Sequence, residues 1–247
     1  NFINYEFQRI ITAGMVFIIF YLINVNFTFS NSTQLGIAIY ASFNENIMSI
    51  YQKVGQKPDF IQIDLVDDTV YKNADTVNLG VFDEINKYWP DKFVELHLMS
   101  LNPEEWINKL EKVGLNGVDL IIFHEDIKNI LDVFKSIKKN YKDMMFGIFY
   151  FNTTGISKIK KYAEYCDQIT VMGISKLGFS GQEFSEKTYS TIKKIDNLSN
   201  RKNFILEVDG GVNSSNYFKL KVDKIVSGSS VLLSKNAKKT ILEFKNF

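Results

Sequence analysis

Phe60-Ile61-Gln62-Ile63-Asp64-Leu65 is the stretch on which the reading of this chain turns. In a strand, side chains two apart face the same side. Gln62 and Asp64 therefore point together. An acid pointing into a barrel is costly unless it sits at the open end, where catalytic groups of barrel enzymes lie. Asp64 stands at the end of its run. A carboxylate there either caps the following loop or belongs to a site.

Working outward, the same kind of short apolar run recurs along the chain. The strand candidates are 35–41, 60–65, 93–99, 118–123, 145–150, 168–173, 204–209 and 223–227. Amphipathic stretches with Lys and Glu on one face follow them, as at 103–113, 125–140 and 184–198. Strands alternating with helices imply parallel βαβ units. Eight units between residues 35 and 247 fit a closed (β/α)8 barrel, the α/β TIM barrel. A doubly wound open sheet is the alternative that periodicity leaves open. Asn102-Pro103-Glu104-Glu105 reads as an N-cap, a first-turn proline and two acids on the positive end of a helix dipole. Gly114 and Gly117 punctuate the return to the fourth strand. No linker divides 35–247, so it reads as one domain.

Composition narrows the chemistry. The 247 residues come close to the ~250 of a typical barrel of this type. Apolar residues make up 45% and charged residues 23%, the balance of a globular protein. Net charge is +1 and the lysines are scattered, so no nucleic-acid partner is expected. Cys166 is the only cysteine, which excludes an internal disulfide and a cysteine zinc site. His97 and His124 are the only histidines, so any metal must lean on carboxylates.

Residues 1–34 form a hydrophobic N-terminal extension. No charged residue occurs from Ile10 to Asn44, and Arg9 precedes that run. Residues 10–29 are about long enough to cross a bilayer, which gives a membrane segment as one reading. Asn24 and Asn26 interrupt the run and count against it. A helix or strand packed on the barrel, or an extension from an over-long reading frame, is the other reading.

Three residues stand out as candidates for chemistry. Asp64 ends the second strand. His97 ends the third and faces the same way as Met99, although a lone histidine is often a hydrogen-bonded core residue. Asp209 ends the seventh and precedes Gly210-Gly211. Paired glycines let a backbone approach a ligand closely. Ser227-Gly228-Ser229-Ser230 follows the eighth strand. Loops after strands seven and eight of such barrels often hold phosphate, though ordinary turn glycines would read the same way. Gly178-Phe179-Ser180-Gly181-Gln182 is a third glycine-rich loop. Carboxylates with an imidazole suit a divalent metal. Two carboxylates facing a sugar could remove a proton on one face and return it on the other. A metal would stabilise the enediolate between.

These segments resemble the ribulose-phosphate 3-epimerase family from about residue 37 to the C-terminus. The resemblance is carried by Ile63-Asp64-Leu65-Val66-Asp67, by Glu95-Leu96-His97-Leu98-Met99 with Asn102-Pro103-Glu104, and by Gly178–Gln182. Glu207-Val208-Asp209-Gly210-Gly211-Val212 and Ile225-Val226-Ser227-Gly228-Ser229 complete it. It implies a barrel of the ribulose-phosphate-binding type and an isomerase that interconverts ketose phosphates, such as ribulose 5-phosphate and xylulose 5-phosphate. It implies one divalent ion (zinc, iron, manganese or cobalt) on Asp64, His97 and Asp209. Gln62 stands where the family has its first metal-binding histidine, which implies weaker binding. Asp64 and Asp209 take the acid/base roles. Met99 and Met172 lie near the enediolate, and the backbone at Gly181, Gly210, Gly211, Gly228 and Ser229 meets the phosphate.

The chain departs from the family at Ala38, in place of a serine, at Val66, in place of a methionine, and at Asp67-Asp68-Thr69. Ser175-Lys176-Leu177 makes the sixth loop one residue longer. Alternatives are an epimerase for another ketose phosphate (allulose 6-phosphate or a surface-polysaccharide precursor) or a non-catalytic paralogue that binds a sugar phosphate. A sugar-phosphate enzyme is expected in the cytoplasm, with membrane contact through 10–29 the lesser reading. A homo-oligomer is compatible with this assignment.

Overall fold

The computed structural model describes residues 32–113, 115, 117–175 and 181–245. Eight parallel strands pair in chain order and close on themselves. They are β1 Gln34–Tyr40, β2 Phe60–Val66, β3 Phe93–Met99, β4 Leu120–His124, β5 Met145–Phe151, β6 Gln168–Met172, β7 Ile205–Asp209 and β8 Lys224–Val226. Pairing of β1 with β8, with Gly36 opposite Val226, seals the ring. Closure removes the open-sheet alternative. All eight expected strands are present, with ends within two residues of those expected.

Alternation explains why the strands sit as they do. Ile61, Ile63 and Leu65 of β2, and Val94, Leu96 and Leu98 of β3, face outward and are buried. Helices cover them with apolar stripes at helical spacing. Ile47, Ile50 and Val54 line one face of Ile47–Val54, and Ile130, Val133 and Ile137 line one face of Ile130–Asn140. Each such fully buried aliphatic side chain contributes roughly 1.5–3 kcal/mol. Pro103 opens the helix Pro103–Val113, with Glu104 and Glu105 in its first turn, as expected.

Two helices are shorter than the sequence patterns indicate. The stretch 125–140 is helical only over Ile130–Asn140, because Asn129 takes a left-handed conformation with φ 58°. The stretch 184–198 is helical over Lys187–Asp196.

The inward faces of the strands are unusually polar. Below the mouth, the Lys224 ammonium lies 3.0 Å from Glu95 Oε2 and 3.2 Å from Gln168 Oε1. The rings of Phe60 and Phe93 flank it at 4.4 and 4.3 Å. Thr170 donates to Glu207 at 3.0 Å. Gly36 makes room for the Phe60 ring, since a Cβ there would lie 2.2 Å from it. This layer is the floor under the strand ends.

The barrel begins slightly before the expected boundary. Gln34 is already in β1, and Thr33 donates to the Val222 carbonyl. The extension over 1–31, with its candidate span 10–29, lies outside the described residues, as do Gly114 and 176–180. No helix of the described residues is long and apolar enough to cross a membrane.

Candidate metal centre and substrate cavity

Three strands deliver the cluster. Asp64 is the Cα partner of His97 across the β2–β3 ladder, and Asp209 is the partner of Met172 across β6–β7. Because side chains two apart share a face, Gln62 and Asp64, Glu95 and His97, and Glu207 and Asp209 all point inward. Their positions at the C-terminal ends bring Asp64, His97 and Asp209 together at the mouth.

His97 Nδ1 lies 3.6 Å from Asp64 Oδ1 and 3.4 Å from Asp209 Oδ2. Neither His97 ring nitrogen has a hydrogen-bond partner, although the residue is fully buried. The Gln62 amide nitrogen donates to the same two oxygens, at 2.8 Å to Asp64 Oδ1 and 2.9 Å to Asp209 Oδ2. Gln62 Oε1 is buried without a partner. His97 and Gln62 thus converge on one oxygen of each aspartate.

The spacing suits a cation. The ligand atoms of Asp64, His97 and Asp209 lie within 4.8 Å of one another. A tetrahedral ion with bonds of about 2.0–2.1 Å has ligand–ligand edges of about 3.4 Å. The two separations from His97 match such edges better than they match hydrogen bonds. An amide presents nitrogen and oxygen in interchangeable positions, so rotation of the Gln62 amide would offer its orphaned oxygen to the same point. The donor set of imidazole, two carboxylates and an amide oxygen therefore fits a divalent ion.

The electrostatics are those of a buried, charged cluster. Burial pushes Asp64 up to about 6; His97 and Gln62 oppose the shift and Asp209 adds to it. Burial works against a charged His97, but the two carboxylates outweigh it and raise His97 to about 9. His124 behaves differently. Burial, then the neighbouring His97, lower it to about 3, so it is a neutral ring stacked on Phe149. Phe149 in turn packs against His97 at 4.3 Å between ring centres.

A cavity of about 280 Å³ opens above the cluster. Asp64, His97 and Asp209 line it together with Met99, Met172, Gly181, Gly210, Gly211, Gly228 and Ser229. Every expected site residue except Gln62 therefore borders one cavity. Gln62 lies beneath, fully buried, and reaches the site through its two hydrogen bonds. Gly210 and Gly211 have φ of +94° and +70°, in the left-handed region. A Cβ on Gly211 would also meet the Phe184 backbone at 3.0 Å. Their glycine identity thus serves the turn and its packing on 184.

Tyr40, Glu45, Lys53 and Gln182 also line this cavity, and the sequence reading does not single them out as contacts. A signal for Tyr40 does exist: it lies two residues beyond Ala38 on the same strand, and so on the same face.

The profile of the ribulose-phosphate 3 epimerase family matches residues 36–232. Among curated proteins, the ribulose-phosphate 3-epimerase of Chlamydia pneumoniae is 32% identical over 162 residues, covering 62% of this chain and 66% of that protein. The ribulose-phosphate 3-epimerase of Buchnera aphidicola is 28% identical over 213 residues, covering 83% of this chain and 91% of that one. Among solved structures, KGPDC from Streptococcus mutans superposes with a TM-score of 0.62 at 14% identity. The match covers 87% of this chain and 96% of that chain. A 3-hexulose-6-phosphate synthase gives 0.61 at 16% identity, covering 86% and 98%. At such identities the two structures speak for the fold alone. With the profile spanning most of the barrel, the chain belongs to the ribulose-phosphate 3 epimerase family, a family of isomerases acting on carbohydrates.

Proposed function

We propose that this chain is a ketose-phosphate 3-epimerase in which Asp64 and Asp209 are the acid/base pair. One observation carries the reading. The Gln62 amide donates to Oδ1 of Asp64 and Oδ2 of Asp209, the same two oxygens that His97 Nδ1 approaches, and both aspartates line one cavity. Two carboxylates that share a cluster yet face one cavity suit proton transfer at opposite faces of a single carbon.

In one direction, the Asp209 carboxylate takes the proton from C3. The C–H bonding pair moves toward the C2 carbonyl and gives an enediolate. Asp64, in its protonated form, returns a proton to the opposite face, and C3 is inverted. The reverse reaction exchanges the two roles. Gln62, Asp64, His97 and Asp209 would hold a divalent ion, which supplies positive charge for the developing enediolate oxygens. Backbone at Gly181, Gly210, Gly211, Gly228 and Ser229 would receive the phosphate, and Met99 and Met172 wall off water beside C3. Ribulose 5-phosphate and xylulose 5-phosphate are the first substrate pair to test.

The Gln62 amide, which donates to both aspartates from the place where an imidazole would bind a metal more strongly, favours a second reading: a module that binds a sugar phosphate without turning it over. One experiment separates the two. The purified chain, assayed for metal content, is mixed with ribulose 5-phosphate in heavy water and the C3 proton signal is followed by NMR. Loss of that signal with appearance of xylulose 5-phosphate supports the epimerase. Binding without exchange, for this and for six-carbon ketose phosphates, leaves only the binding module.

A further inference from the structure

A second cavity, of about 460 Å³, adjoins the first. Tyr40, Glu45 and Asp64 line both. The glycines that line the first cavity are absent from the second, which is walled instead by Ser42, Asn44, Asn73 and Asp75. Tyr40 and Glu45 therefore stand between the glycine-lined end and a polar recess, next to Asp64.

Tyr40 is held there by β1, in register with Asp64. Its phenol lies within electrostatic range of Asp64, Asp209 and Glu45, and burial together with these acids pushes its pKa up. It therefore remains a neutral O–H donor. No hydrogen bond or salt bridge ties the Tyr40 hydroxyl or the Glu45 carboxylate to another described residue, which leaves both for a ligand.

A ketose phosphate is a directional molecule. With its phosphate on the glycines and C3 between Asp64 and Asp209, the end bearing C1 is directed away from the glycines. It then meets the boundary between the two cavities. We propose that Tyr40 and Glu45 recognise the C1 hydroxyl of the ketose, the phenol donating to its oxygen and the carboxylate accepting its hydrogen. A hydroxyl has one donor hydrogen and acceptor lone pairs, so this pair satisfies both capacities. The inference rests on the epimerase reading above and adds the residues that select for an oxygen on C1.

The test is a cycle between protein and substrate. The metal-loaded full chain and the variants Tyr40→Phe and Glu45→Gln are assayed on ribulose 5-phosphate and on its 1-deoxy analogue. Wild type should lose about 10- to 100-fold in kcat/KM on the analogue, the effect of losing hydrogen bonds of which one is to a charged group. Each variant should lose activity on the parent sugar but change little on the analogue, with metal content unaltered. Equal losses on both sugars would overturn the proposal while leaving the epimerase intact. If wild type turns over neither sugar, ribulose 5-phosphate is not its substrate, and the epimerase reading rests on the six-carbon ketose phosphates. The same cycle is then read from binding by calorimetry, where an equal preference for the C1 hydroxyl in wild type and both variants overturns the contact and a preference lost in the variants supports it.

Discussion

The Gln62 amide nitrogen lies 2.9 Å from Asp209 Oδ2, a hydrogen bond that joins β2 to β7 across the barrel mouth and spans 147 positions of sequence. The same nitrogen donates to Asp64. It thereby holds together two carboxylates that would otherwise repel, at the point on which His97 also converges.

Replacing Gln62 with His puts an imidazole where the amide stands. Imidazole is the better ligand for zinc and related ions. Metal affinity should rise by at least the ~10-fold typical of changes around a metal site. Competition against a chromogenic chelator measures it. Unchanged affinity would place Gln62 outside the coordination sphere.

Metal binding should depend on pH with a defined sign. His97 is raised to about 9 by its two carboxylate neighbours and must lose its proton to become a ligand. Affinity should therefore climb from neutral pH to about 9 and then level off. It should fall more steeply below about 6, where Asp64 is protonated. Calorimetry at pH 7 in two buffers of different ionisation enthalpy should count about one proton released per ion. The metal-free chain follows the same linkage in reverse. The folded pKa of His97 exceeds its ordinary value of 6.5, so its contribution to stability is complete below 6.5 and is lost as pH rises through 9.

Asp64→Asn and Asp209→Asn each remove one half of the proposed proton pair. Either change should lower kcat for epimerisation by about 10²–10⁴-fold, the usual worth of a positioned acid or base. Circular dichroism establishes that the variants fold. A variant retaining a tenth of wild-type activity would remove that aspartate from the mechanism.

Lys224→Met tests the floor of the barrel. It leaves Glu95 buried without its ammonium partner, beside Gln168 and near Glu207. Breaking a buried pair in this way costs about 3–5 kcal/mol. Urea unfolding should show that loss, and adding Glu95→Leu should recover much of it. A single variant as stable as wild type would mean that Lys224 carries no such burden.

The eight strands are legible because a strand declares itself locally. Apolar residues every second position need no partner to be recognised, and the strand Phe93–Met99 has the ends that its sequence pattern marks. Asp64, His97 and Asp209 are legible for the same reason: each falls at the end of such a run, and period two sets which side it faces. The pattern over 125–140 overstates its helix because Asn129 adopts a left-handed turn that the helical spacing of its neighbours conceals.

What the sequence determined by itself was the set of elements, their order and the facing of each side chain within its strand. Those are properties of a few consecutive residues. Tertiary structure alone decided which inward residues meet. Lys224 finds Glu95 across 129 positions, the Gln62 amide bridges Asp64 and Asp209, and Tyr40 comes to stand opposite Asp64. Such meetings follow from the stagger between strands and the closure of the ring, and no local period encodes either.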